Sequence, residues 1–163
     1  AITCILAPLS IPLPFSPVPI SLTNLVIFIS VFILGMKDAT ISFLIYLLLG
    51  AVGLPVFASF HAGLSVLAGP TGGYLIGFIF LALIQGFAMK YFDRKLIPTI
   101  IGMLIGMAVC YIFGTVWLAK LMSLSFKEGL FMGVIPYLPG DAVKIIIAVI
   151  VGPKLYAATK KVR

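Results

Sequence analysis

ATISFLIYLLLGAVGLPVFASFHAGLSVLAGPTGGYLIGFIFLALIQGFAM, residues 39–89, runs for 51 positions without a charged side chain. A soluble domain cannot leave so long a run unsolvated, whereas ~20 apolar residues in a helix cross the ~30 Å hydrocarbon layer of a bilayer. The run therefore holds two crossings and a connecting loop. Outward from it the pattern repeats. Residues 1–36 carry no charge, residues 96–119 form another uncharged run of 24, and residues 129–153 are interrupted only by Asp141 and Lys144. Across all 163 residues 63% are hydrophobic and 9% charged, against ~45–50% and ~25% in soluble domains. At ~20 residues per crossing this length allows about six. The expectation is an all-α integral membrane protein, one domain over 1–163 built as a six-transmembrane-helix bundle. No hydrophilic stretch remains for a soluble catalytic domain.

Proline and glycine divide the apolar runs. Pro8, Pro12, Pro14, Pro17 and Pro19 fall within 12 positions, more proline than a helix can carry. A first span is expected over 1–12 and a turn over 13–19, followed by spans at 20–36 and 38–52. Gly63, Gly69, Pro70, Gly72 and Gly73 mark 53–73 as a long loop; loops of this length inside a compact domain are usually functional. Further spans are expected at 74–92, 97–119 and 141–158. The chain starts at Ala1 without a methionine, so its true beginning, with part of the first helix, is expected upstream.

Net charge is +7, but the basic residues sit in short clusters between apolar runs. That suits membrane orientation better than nucleic-acid binding. With six spans, Lys37, Lys90, Arg94, Lys95, Lys154, Lys160, Lys161 and Arg163 share one side, while Lys120 and Lys127 lie on the other. The positive-inside rule then puts both chain ends in the cytoplasm and the 53–73 loop, an outer lid, outside. Cys4 and Cys110 lie far apart with no CxxC spacing, and His61 is the sole histidine. Metal, redox and hydrolytic constellations find no support, and no Walker loop is present, so this chain is not expected to be an enzyme.

Asp141 and Lys144 are the strongest chemical signal. Three residues apart, they share a helix face, and ionisable groups within a membrane segment point to a substrate or ion site. A self-neutralising pair near the interface, or Asp141 as a helix cap, explains the same residues without a ligand. GPTGGY, residues 69–74, offers exposed backbone amides at Thr71, Gly72 and Gly73 and an aromatic face at Tyr74, or else only a tight turn. Thr23 and Asn24, the sole asparagine, suit a neutral polar ligand or an interhelical hydrogen bond. Phe57 and Phe60 line an apolar slot or anchor the loop in lipid. His61 is a loop contact or a solvated side chain. Tyr111 and Trp117 read as packing and interface residues. The pairs Gly73/Gly77 and Gly102/Gly106 suit close helix packing.

Four stretches together carry a resemblance: IPLPFSPVPISLTN (11–24), YLLLGAVGLPVFA (46–58), AGPTGGYLIGF (68–78) and PGDAVK (139–144). In order and spacing they resemble the BioY family, the biotin-specific substrate-binding (S) subunits of energy-coupling factor (ECF) transporters. Where that family reads Thr-Leu-Gln, this chain has Ser21-Leu22-Thr23-Asn24. The resemblance implies a multi-pass protein of a prokaryotic plasma membrane that captures biotin outside. It would dock on a transmembrane coupling subunit driven by two ATPase subunits, with no cofactor and no nucleic acid. It implies that Asp141 accepts a ureido N–H while Lys144 donates to the ureido oxygen or, alternatively, to the carboxylate tail. Thr23 or Asn24 adds a polar contact, Tyr74 and Phe57 cover the ring, and the amides of Gly72 and Gly73 with Thr71 close the loop over the ligand or meet the carboxylate. The alternatives are an S component for another vitamin or a solitary small-molecule transporter.

Overall fold

The computed structural model describes residues 2–161. Ala1, placed in the first span, and Arg163, counted among the basic residues of one end, lie outside the described residues. Helix α1 (Ile2–Leu6) leads into a hairpin of β1 (Ser10–Leu13) and β2 (Ser16–Ser21), then α2 (Thr23–Leu34) and α3 (Met36–Ala51). A 3-10 turn (Ala58–Phe60) and α4 (Leu64–Ala68) precede α5 (Gly72–Tyr91) and α6 (Leu96–Leu121). Helix α7 (Phe126–Gly133) and a second 3-10 turn (Ile135–Tyr137) lead into α8 (Leu138–Lys160).

Several boundaries differ from the expectation. The first span was expected over 1–12, but its described helix ends at Leu6 and a strand begins at Ser10. The proline-rich turn is an antiparallel ribbon pairing Ile11 with Ile20 and Leu13 with Ser16, with an irregularity between Ile11 and Leu13. Proline survives there because each strand of a two-stranded ribbon has an unpartnered edge. Residues 20–21 therefore belong to β2 rather than to the second span. The 53–73 loop is partly helical, through the 3-10 turn and α4, and its last residues, Gly72 and Gly73, form the first turn of α5. Helix α7 falls where no element was expected; Ser125 and Glu128 start it with a reciprocal capping box.

Among the described residues three helical stretches are long and apolar enough to cross a bilayer: Gly72–Tyr91, Leu96–Leu121 and Phe126–Lys160, the last interrupted by the turn between α7 and α8. The 12 residues of α2 rise only ~18 Å.

Contacts fix the arrangement. Helices α5 and α6 form an antiparallel pair in which glycines replace side chains at each crossing: Gly73 meets Trp117, Gly77 meets Cys110, and Gly106 meets Leu81. Close approach of backbones is how helices associate in lipid, where apolar burial offers no gain. Helices α2 and α8 run parallel, since Asn24 meets Asp141 at one end and Phe32 packs on Gly152 nearer the other. Phe28, Val31, Phe43, Tyr46, Leu81 and Met103 form the shared core. Leu44, Ile45, Leu48, Ile101, Leu104, Ile105, Ile146 and Ile150 face outward, an apolar surface far larger than a soluble monomer tolerates. It is a lipid-facing surface.

Candidate functional site

Around the start of α8 the hairpin, the 58–71 segment and helices α2, α5 and α6 enclose a cavity of about 350 Å3. Each wall has a local cause. The hairpin is pinned to the loop by Ser10, whose Oγ accepts from the Ser59 amide at 2.8 Å and bonds Ser59 Oγ at 2.9 Å. Trp117 Nε1 donates to the Gly69 carbonyl at 3.0 Å, tying the loop to α6. The Phe57 ring occupies the space that a Cβ on Gly50 would take. It stands edge-on to Tyr46, 5.6 Å between centroids, and is held beneath the cavity.

Asp141 and Lys144 lie one turn apart at the start of α8, 6% and 9% exposed. Their ion pair measures 2.8 Å between Nζ and Oδ1. Asn24 Nδ2 donates to the same oxygen at 2.6 Å, and Tyr111 donates to Oδ2. Lys144 Nζ also donates to the Ser21 carbonyl at 2.7 Å. Every polar atom of the pair is thus satisfied, as burial demands. Yet a buried ion pair seldom returns its desolvation cost as stability. Asp141 does not cap α8, because the helix starts at Leu138 and the cap position is Tyr137. The pair presents no net charge to the cavity. Lys144 has one N–H left, and Oδ2 of Asp141 has a lone pair left, so the wall can both donate and accept.

The structure brings most of the expected residues together. Asp141, Lys144, Asn24, Thr23, Tyr74, Thr71, Phe57 and His61 all border the cavity. Tyr74 packs on Gly114 and bonds Thr115 Oγ1 at 3.4 Å. His61 Nδ1 contacts the Ala58 carbonyl at 2.8 Å on the exposed side of the loop. Gly72 and Gly73 are not on the cavity wall. The Gly72 amide is engaged by the Gly69 carbonyl at 3.0 Å, and Cβ atoms would overlap Leu67 and Trp117, so both glycines serve packing. Tyr111, read from sequence as packing, instead reaches the carboxylate of Asp141. Tyr137 was not expected; its hydroxyl donates to the Val18 carbonyl and hydrogen-bonds Ser16 Oγ at 2.8 Å, joining the α8 side of the cavity to the hairpin. The available signal was a phenol within the otherwise uncharged run 96–119 and another just before PGDAVK. Among the described residues no three His, Cys, Asp or Glu side chains gather as a metal group.

Lipid-facing helices around a buried, self-neutral carboxylate–ammonium wall define a multi-pass membrane protein that binds a small polar molecule. The family model described as "BioY family" matches residues 1–161. The chain is 35% identical over 162 residues to the "Probable biotin transporter BioY" of Pyrococcus horikoshii, covering 98% of this chain and 92% of that one. It is 34% identical over 145 residues to the "Biotin transporter BioY" of Thermotoga maritima, covering 89% and 85% respectively. A crystal structure of the S-component for biotin from an ECF-type ABC transporter superposes with a TM-score of 0.87 at 31% identity, covering 94% of this chain and 84% of that one. The chain belongs to the BioY family, a family of transport components rather than enzymes.

Proposed function

We propose that this chain is the biotin-binding S component of an ECF-type uptake transporter in a prokaryotic plasma membrane. The observation that carries this reading is the Asp141–Lys144 pair, buried on the cavity wall and flanked by Asn24 and Tyr111. A urea presents two N–H donors and one carbonyl acceptor and has no charge. A carboxylate takes an N–H and an ammonium gives one to the oxygen, charge-assisted bonds that are stronger in a dry site. Phe57, Phe78 and Met107 give an apolar floor for the sulfur-containing ring. The cavity volume of about 350 Å3 falls within the ~300–1,000 Å3 of small-molecule sites.

The same reading has six crossings with both chain ends cytoplasmic and the cavity outside. Supporting it, Lys37, Lys90 and Arg94 surround one cleft at the end of the bundle opposite the cavity. A transmembrane coupling subunit and two ATPase subunits would supply the energy, since no nucleotide motif lies in this chain. Lys144 meets the ureido oxygen, one turn from the carboxylate that takes the N–H; uncharged biotin amide retaining full affinity would support that orientation over contact with the tail.

Titration of the purified protein with biotin tests the reading. Loss of one charged partner should weaken binding about 10- to 150-fold, the equivalent of ~1.5–3 kcal/mol, in both Asp141→Asn and Lys144→Met. Unchanged affinity in both variants overturns the assignment.

A further inference from the structure

A second cleft, about 540 Å3, opens at the far end of the bundle between the α2–α3 turn and the α5–α6 turn. Backbone geometry builds it. Gly35 turns the chain at φ 83, and Gly86 has no side chain, which lets Met36 sit against α5. On the facing turn Asp93 and Arg94 both hold left-handed φ, 49 and 58, a conformation non-glycine residues rarely adopt. That turn sends Arg94 under α2, where Nη1 donates to the Phe32 carbonyl at 2.6 Å and the guanidinium lies 3.8 Å over the Tyr156 ring.

We infer that this cleft binds the phosphodiester headgroup of an anionic membrane phospholipid. Lys37, Lys90 and Arg94 line it against two carboxylates, Asp38 and Asp93. Among the described residues the one ion pair is Asp141–Lys144, so no lysine of the cleft pairs with a carboxylate, and three basic against two acidic side chains leave the cleft one positive charge in excess. Gly35 gives α3 no side-chain cap, and the positive end of this 16-residue helix's dipole lies at the cleft. Asp38, in the first turn, serves the helix dipole.

The rest of α3 points to a lipid rather than free phosphate. Ile41, Leu44, Ile45 and Leu48 follow Lys37 at helical spacing on one face and are 45%, 40%, 51% and 65% exposed. A headgroup at Lys37 would lay an acyl chain along that stripe. Basic pockets between helices at a cytoplasmic surface are suited to such headgroups.

The test uses the intact protein in nanodiscs, with bound lipid read by native mass spectrometry. The wild type should retain phosphatidylglycerol over phosphatidylcholine. Lys37→Gln/Lys90→Gln, and Lys90→Gln alone as the milder change, should lower retention about five-fold per lysine while biotin binding, read in parallel, stays intact. Equal retention of the two lipids, or retention unchanged in the variants, overturns the inference. So does displacement of the lipid by millimolar inorganic phosphate, which would make the ligand a soluble anion. Variants that keep the lipid but fail to assemble with the coupling subunit would make the cleft a protein contact and likewise overturn it.

Discussion

Asp141 sits where a carboxylate is costly, and each of its neighbours answers a part of that cost. Lys144 balances the charge, Asn24 and Tyr111 complete the hydrogen bonds, and Ser21 lends a carbonyl to the ammonium. The contribution of Tyr111 is a phenol donor that a phenylalanine deletes with little change of shape. Tyr111→Phe should weaken biotin binding about three- to ten-fold, less than either charge variant, as expected for one hydrogen bond of ~0.5–1.5 kcal/mol. A titration giving wild-type affinity would confine Tyr111 to packing. At this scale the charged pair and Asn24 were legible in the sequence because ionisable and amide groups are rare in apolar runs. Tyr111 was not, since an aromatic in a span has ample reason to be there without a partner, and its partner lies 30 positions away.

Helices were legible where charge, proline and glycine interrupt apolar runs, so α5, α6 and α8 could be placed within a few residues. The hairpin was hidden. Its prolines argue against a sheet, and only the unpartnered edges of a two-stranded ribbon make room for them. Gly72 and Gly73 illustrate a related ambiguity. A glycine needed for close packing and one needed to approach a ligand look the same in sequence; here both meet neighbouring elements. Gly50 makes the packing role testable. Its hydrogen faces the Phe57 ring, so Gly50→Ala must push that ring toward the cavity. Overpacking of this kind costs ~1–3 kcal/mol. A lowered melting temperature should accompany weaker biotin binding, whereas a melt and affinity both equal to wild type would show that Phe57 does not depend on Gly50.

For the whole molecule, the cavity and the basic cleft occupy opposite ends of one lipid-facing bundle. Positive-inside orientation predicts that a cysteine at Lys127 reacts with an impermeant maleimide added to intact cells. A cysteine at Lys154 should react only after the membrane is opened; the reverse result would invert the topology. On the proposed reading, the segment between α3 and α5 closes over the ligand during capture. A spin label at Ala62 should lose mobility when biotin is added, and an unchanged spectrum would argue against that lid. What all of this depends on is the seat of the urea. A crystal structure with biotin bound tests it most directly. The ureido ring should lie in the cavity with an N–H on Asp141 and its oxygen toward Lys144. Biotin lodged elsewhere, with the Asp141–Lys144 pair untouched by it, would contradict the account.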